Sequence, residues 1–489
     1  MNLIPAAAEG DFDESDYFKN YPAGDVPHLY PLLVNEGERR IETMPDGAAI
    51  RKFALPSLLG ILTFLTPVRV DGNWTILMGL IADTGRDLVG AGMPWVVYGL
   101  LCVSASGSVY AKTLGPNRFA AGSLFARLFQ VAPTWIVLRL TGFIMGTMTM
   151  FQLGPEMFWH PITGGTVMNE LAVNIVPIFL FAGLLMPFLT DYGLMEFIGT
   201  LVKRLFRRLF TLPGRSAIDA LASWMSSAPV GVLITVRQYV SGHYTGREAA
   251  VIATNFSVVS VPFALLVANT AGIGHRFPEY YLAVVITGVI IAMIMPRIPP
   301  LSRFEDKPYD KLHPLREKQS SGDESLIHEA ISLAAGRAAL APPLREQMRT
   351  ASGHILDIWF GLVPAVIAVG GAGLILAEYT PVLGILTAPI VPVLEFFGLP
   401  EASAAAPALI AGFLDMFLPA LLAANIDAEI TRFVIGVISV TQLIYMSEVG
   451  ILMIKCEIPL RFSHLLIIFL LRTLIGLPIV MAFARFVVY

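Results

Sequence analysis

Residues Asp219–Tyr239 read DALASWMSSAPVGVLITVRQY. The run is apolar enough to enter a bilayer, yet Asp219, Ser223, Ser226, Ser227 and Pro229 follow one another closely. Lipid offers no partner to a freed backbone group, so irregular chain at membrane depth must line protein or a water-filled cavity. The stretch therefore reads as a broken or re-entrant element at the wall of a site.

The rest of the chain bears out that setting. Of its 489 residues 55% are hydrophobic and only 14% charged, and the mean hydropathy is +0.68. Soluble chains carry about 25% charged residues. Apolar runs of roughly 20 residues, the length that crosses a hydrocarbon core, recur from Phe53 onward. The expected class is an all-α polytopic membrane protein, since a β-barrel would show short alternating segments. Its first partner is the lipid bilayer. Net charge is −4 with no broad basic surface, which argues against nucleic acid. Cys102 and Cys456 are too few and too far apart for a disulfide framework or a metal site. The N-terminal EGDFDESD is acidic, so no cleavable leader is expected.

Five regions follow. Residues 1–50 form a polar arm, 51–165 an N-terminal transmembrane extension, 166–299 a first repeat, 300–350 a polar loop with an amphipathic helix, and 351–489 a second repeat. About nine spans are expected, near 53–68, 93–111, 125–150, 172–190, 248–271, 277–296, 354–377, 431–454 and 462–485. Residues 73–90, with Asp83, Arg86 and Asp87, read as an interfacial or re-entrant piece.

The repeat shows in three landmarks at one offset. Pro177 and Pro364 differ by 187 (364 − 177), as do Asp191-Tyr192 and Glu378-Tyr379, and Leu212-Pro213 and Leu399-Pro400. Pro229 of SSAPVG then falls opposite Pro419 of FLPALL. In LVKRLFRRLF, Lys203, Arg204, Arg207 and Arg208 share one helical face, as expected of an interfacial helix on the cytosolic side. The matching LTAPIVPVLEFFGLP has no Lys or Arg and belongs on the other side. Both that basic helix and the 300–350 loop are expected inside, so an even number of crossings joins them. A re-entrant 216–240 leaves three true spans per repeat, and an odd count inverts the second repeat. Inverted repeats with broken helices hold their solute near the midplane in many secondary transporters.

SSAPVG, followed by TGREAAVIATNFSVVSVPFALLVAN, resembles the YjiH-like membrane proteins with the nucleoside-recognition, or Gate, domain. The resemblance covers roughly Phe53 to Tyr489. Gate domains also occur in concentrative nucleoside transporters, ferrous-iron permeases and spore-maturation membrane proteins. The resemblance implies a transport-type fold with re-entrant elements, and nucleosides as the nominal solute.

The candidate substrate-binding residues are Ser226, Ser227, Pro229, Asn255, Ser257, Ser260, Pro419, Ser439 and Gln442. Broken helices present hydroxyls and backbone groups, and Asn or Gln can donate and accept together on a base or an amide. The competing reading is a kinked packed helix with serines bonded to their own backbone, and polar residues acting as interhelical glue. Ser257 and Ser260 are expected on one helical face, at i and i+3. Asp415 and Glu448 are carboxylates in apolar runs, the kind that face a bundle interior or cavity. They are the candidates for coupling to Na⁺ or H⁺; no bound cofactor is implied. GGAG at 370–373 sits inside a helix and reads as close packing.

Enzyme chemistry finds little support. HEAIS at 328 lacks the second histidine of a zinc-protease helix, and nothing places a base beside Ser226. The expected function is a carrier of a small polar solute in a bacterial inner membrane, N-terminus cytosolic. The alternatives are a carrier of amino-acid or peptide-like solutes, a passive channel, or a scaffold that keeps the fold for assembly. Abundant small-residue faces fit a homodimer.

Overall fold

The computed structural model describes residues 47–70, 73–114, 123–225, 228–240, 242–309 and 326–489. Most of the polar arm, and Ser226 and Ser227, lie outside them. The first unit begins with α1 (Gly47–Phe64), the ribbon β1 (Pro67–Val70) and β2 (Asn73–Ile76), α2 (Leu77–Val89) and α3 (Met93–Leu114). It continues through α4 (Leu124–Phe129) and α5 (Pro133–Phe151). The antiparallel ribbon, paired Pro67 to Ile76, is the one departure from an all-α fold among the described residues. Its second strand opens the segment expected to be interfacial, residues 73–90, where α2 is a regular helix packed on α6, Val173–Thr190.

A wide-turned stretch, Pro161–Ala172, leads into α6 (Val173–Thr190). Then follow α7 (Leu194–Phe210), α8 (Ser216–Met225), α9 (Ala228–Val240), α10 (Gly246–Phe256), α11 (Val261–Thr270) and α12 (Phe277–Ile294). Beyond the polar loop come α13 (Leu326–Leu340) and the long α14 (Leu344–Tyr379). The chain ends with α15 (Val382–Thr387), α16 (Val391–Phe396), α17 (Ala402–Ala411), α18 (Leu418–Ala423), α19 (Glu429–Thr441), α20 (Ile451–Lys455) and α21 (Phe462–Phe483).

Among the described residues, seven helical stretches are long and apolar enough to cross a membrane. The pair α10 and α11, bent by 45° at its break, makes an eighth. The expected ninth, near 431–454, fails that test because α19 stops at Thr441 and helix resumes only at Met446. Leucines 55, 58, 59 and 62 stand exposed on α1, as do Ile385, Leu386 and Phe396 on α15 and α16. So much bare apolar surface on helices of this length suits lipid as the solvent. The chain is an all-α polytopic membrane protein.

In helix order, the second part of α14 through α21 can be set beside α6 to α12. α8 packs against α9 across a short break, and α17 packs against α18 across another, so each half holds one helical hairpin. Each half also holds one interrupted helix, α10/α11 and α19/α20. α12 and α21, the last long helix of each half, pack on each other and run antiparallel. At one end Arg276 lies 4.9 Å from the Tyr489 ring; at the other, the Phe304 and His464 rings are 5.1 Å apart.

The basic helix α7 is braced rather than free. α13 packs a small-residue face, Ala330, Ala334, Ala335 and Ala338, against α7 and α1. Lys203–Glu329 (3.6 Å) and Arg337–Glu196 (3.7 Å) tie the pair, and Lys52 Nζ donates to the carbonyls of Ala339 and Ala341 at the end of α13. Leu201 and Leu205 stay exposed on α7. That arrangement fits a helix lying along an interface.

GGAG packs as read. A Cβ at Gly370 or Gly373 would crowd Leu421 or Leu418 of α18, and one at Gly371 would crowd Met145 of α5. Pro364, inside α14, has no N–H to offer the Phe360 carbonyl. Ser104 of α3 supplies the missing donor at 2.6 Å, with both groups buried. Ser104→Ala orphans that carbonyl and is expected to cost about 1–3 kcal/mol. An SDS or thermal titration reads the loss; a variant as stable as wild type would deny the compensation.

Candidate functional site

Both prolines of the opening pattern stand at helix starts. Pro229 is the second residue of α9 and Pro419 the second residue of α18. A proline in the first turn forfeits no hydrogen bond, because those N–H groups have no intrahelical acceptor. They therefore begin the second arm of each hairpin instead of kinking a continuous helix. Asp415 belongs to the hairpin turn, where its Oδ1 accepts the Phe417 N–H at 2.8 Å. Asp219, in α8, accepts a buried hydrogen bond from the Tyr244 hydroxyl.

α10 is a short, well-started helix. Thr245 and Glu248 form a capping box, Thr245 Oγ1 accepting from the Glu248 N–H and Glu248 Oε2 from the Thr245 N–H. The helix stops at Phe256, and α11 resumes at Val261 with Pro262 in its first turn. Ser257 and Ser260 flank this break, so no helical face carries both. Ser257 Oγ donates back to the Ala253 carbonyl (2.7 Å), and Ser260 is the N-cap of α11.

α19 ends in the same way at Thr441, with Leu443 at a φ of 61°. Its last carbonyls are all provided for. Ile438 O accepts from Gln442 N–H, and Ser439 O and Val440 O accept from the Tyr445 hydroxyl at 3.0 and 3.1 Å. Ser439 Oγ donates to the Gly436 carbonyl (2.8 Å), which leaves it a local role. Glu448 lies in the wide turn Met446–Gly450, and its side chain falls outside the described residues.

The remaining carbonyl of α19 brings the halves together. Arg472, from the middle of α21 and 1% exposed, directs Nε and Nη2 at Thr441 O (3.0 and 2.7 Å). Its Nη1 donates to Thr254 O (3.2 Å) and to Asn255 Oδ1 (2.7 Å), in the last turn of α10. Asn255 Nδ2 in turn donates to Val251 O (3.0 Å) and Thr254 Oγ1 (3.2 Å). One guanidinium thus holds the C-terminal ends of two interrupted helices, one from each half. Beside it, Gln442 Nε2 donates to Leu409 O in α17 (3.0 Å) and to Thr473 Oγ1 (2.8 Å). The Thr473 proton goes to Phe469 O, so the amide orientation is settled by its neighbours. Gln442 Oε1 is buried with no donor among the described residues.

Of the residues singled out from sequence, Asn255 and Gln442 meet at this joint, while Ser257 and Ser439 are spent on their own helices. Arg472 went unread. The signal was a lone arginine inside the apolar run FLLRTLIGL, where charge is expensive and marks function or a buried partner. Its counterpart by position in α12 is Thr287: both are the eleventh residue of their helices, and Thr287 Oγ1 is buried without a partner among the described residues. A cavity of about 40 Å³ opens here, lined by Asn255, Thr441 and Arg472 with Ala220, Val284 and Gly288. That is room for about one water, and pockets for small organic ligands run to roughly 300–1,000 Å³.

Residues 172–274, from the start of α6 past the end of α11, match the family model described as Gate, nucleoside recognition. Over 454 residues the chain is 44% identical to an uncharacterized protein of Alkalihalophilus pseudofirmus, a match that covers 93% of this chain and 98% of that protein.

Proposed function

We infer the function from this premise: the chain belongs to the same family as the Alkalihalophilus pseudofirmus protein, along nearly its whole length, and carries a Gate domain. It is a secondary carrier for a small polar solute, with nucleosides, the class in the Gate description, as the first candidate. The observation that carries this reading is the buried joint where α10 and α19, the interrupted helices of the two halves, both end. Interrupted helices from paired repeats, meeting at mid-depth, are how secondary transporters build a solute site.

The antiparallel run of α12 and α21 supports an inverted second repeat, with α8/α9 and α17/α18 as re-entrant hairpins. The solute site lies between the hairpin tips and the two breaks. Pro229 and Pro419 start the second arms of the hairpins, with Ser226 and Ser227 the candidates from sequence just before Pro229, and Asn255, Ser260 and Gln442 stand at the breaks. A cavity of about 40 Å³ is smaller than a nucleoside, and in this reading the halves rock apart to load. The basic helix α7 faces the cytosol of a bacterial cell, with the chain's N-terminus on the same side. Asp415 and Glu448 couple transport to H⁺ or Na⁺.

A thermal-shift panel on the purified protein tests the cargo. It sets nucleosides beside amino acids and dipeptides, each with and without Na⁺ and at two pH values. A ligand of the folded state raises stability by about 2.7 kcal/mol at 100 times its Kd. Nucleosides alone are expected to raise the midpoint. A shift with amino acids or dipeptides only would replace the cargo, and none at all would favour the scaffold. In proteoliposomes a carrier accumulates solute against its gradient, and a channel does not.

A further inference from the structure

Arg472 presents a problem of charge. It is a guanidinium in the middle of an apolar span, 1% exposed, and its four hydrogen bonds all go to neutral oxygens. Among the described residues no carboxylate reaches it. A buried cation normally requires a counter-charge. Here helix ends supply it. The C-terminus of a helix carries about half a negative charge in its unpaired carbonyls. α10 enters the joint from the end of the molecule where Thr245 meets Asp306 (3.3 Å), and α19 from the opposite end, where Glu429 meets Arg276 (2.8 Å). Their negative ends face each other, and Arg472 lies between.

Two further features belong to the same joint. Gln442, the residue after Thr441, keeps Oε1 buried without a donor among the described residues, so one oxygen ligand there is spare. Thr287, the counterpart of Arg472 in the other half, brings no charge. Opposed half-helix carbonyls with spare oxygen ligands are the chemistry that coordinates a small monovalent cation.

We propose that Arg472 is a tethered cation: its guanidinium fills a carbonyl-lined monovalent-cation site made by the ends of α10 and α19. The joint between the halves therefore closes without a soluble cation, and a chain stripped of this side chain takes up a small guanidinium in its place. The proposal follows from the joint alone and does not depend on the solute the protein carries. Any ion coupling is then exerted elsewhere in the chain.

The test uses the full chain in detergent or nanodiscs, with thermal unfolding followed by tryptophan fluorescence. Wild type, Arg472→Ala, Arg472→Lys and Arg472→Met are each titrated with millimolar methylguanidinium chloride, against choline chloride at equal ionic strength. Wild type is expected to be flat in both salts. Arg472→Ala is expected to unfold several degrees lower, to recover saturably in methylguanidinium, and to ignore choline. Arg472→Lys, which keeps the charge but loses the fork, falls between the two. An equal response of Arg472→Ala to both salts, or an equal response of wild type and Arg472→Ala to methylguanidinium, overturns the proposal. If Arg472→Ala does not survive purification, it is expected to do so with methylguanidinium present throughout. Arg472→Met then decides: stability equal to wild type, with an apolar side chain that needs no counter-charge, would mean that no cation site exists. Because no solute enters this assay, its outcome is separate from the cargo panel.

Discussion

Gln442→Ala is expected to reduce uptake of the solute by about tenfold or more while the protein still folds, about 1.4 kcal/mol of binding. Gln442 Nε2 is committed to Leu409 O and Thr473 Oγ1, whereas Oε1 is buried with no donor among the described residues. A buried acceptor left bare costs about 1–3 kcal/mol, a cost that a donor on an entering solute would relieve. An amide or amino group of a nucleobase has such a donor. Removing the side chain removes the acceptor that a bound solute would satisfy. It also frees Leu409 O, in the last turn of α17, so some stability falls with it. Gln442→Glu separates the two roles, since it keeps an acceptor and gives up the donors. Uptake in proteoliposomes, paired with the thermal midpoint of each variant, is the measurement. Uptake at the wild-type level in Gln442→Ala would reduce Gln442 to a strut between α17 and α21.

How much of this was legible in the residues follows from what sets each feature. The membrane class is a matter of bulk hydropathy, and the landmarks at offset 187 are visible because Asp191-Tyr192 and Glu378-Tyr379 stand at helix ends, while Pro177 and Pro364 stand inside α6 and α14. The hairpins were legible as breaks, though Pro229 and Pro419 were read as breaking helices that they in fact begin. Proline punctuates a chain in both roles, and sequence alone does not say which side of it the helix lies on. The second break in each half was not legible. TNFSVVSV and VTQLIYMS are apolar and β-branched like the helices beside them, and the interruption is held by tertiary donors. Tyr445 and Arg472 take the α19 carbonyls, and Arg472 takes Thr254 O. For the same reason Ser257 and Ser260 were assigned one face of a helix that does not pass through them. Arg472 itself was visible as a charge out of place, but its partners lie far away in sequence, across the fold.

That the two halves are joined through Arg472 can be measured as a coupling energy. Arg472→Met alone is expected to lower the unfolding free energy by about 3–5 kcal/mol, the range found when one partner of a buried charge interaction is removed. Replacing a buried charged group by an apolar one is often harmless when both partners go together, but here Thr441 O and Thr254 O remain behind as backbone acceptors that no mutation can delete. Asn255→Leu should be milder. Val251 O, which Asn255 Nδ2 serves, sits where the helix also provides a backbone donor, and the main loss is the 2.7 Å bond from Arg472. If that bond exists, the two losses overlap. The double variant is then expected to be more stable than the sum of the single losses predicts, by about 1–3 kcal/mol, the range for residues in direct contact. Additivity within about 0.5 kcal/mol, the behaviour of independent sites, would place Asn255 and Arg472 in separate environments. The coupling would have no such size if α10 and α21 merely packed, because apolar contact between helices in lipid carries little of the hydrophobic drive that it has in water. A strong coupling would therefore say that a polar link, made between residues 217 positions apart in the chain, holds α10 and α21 together.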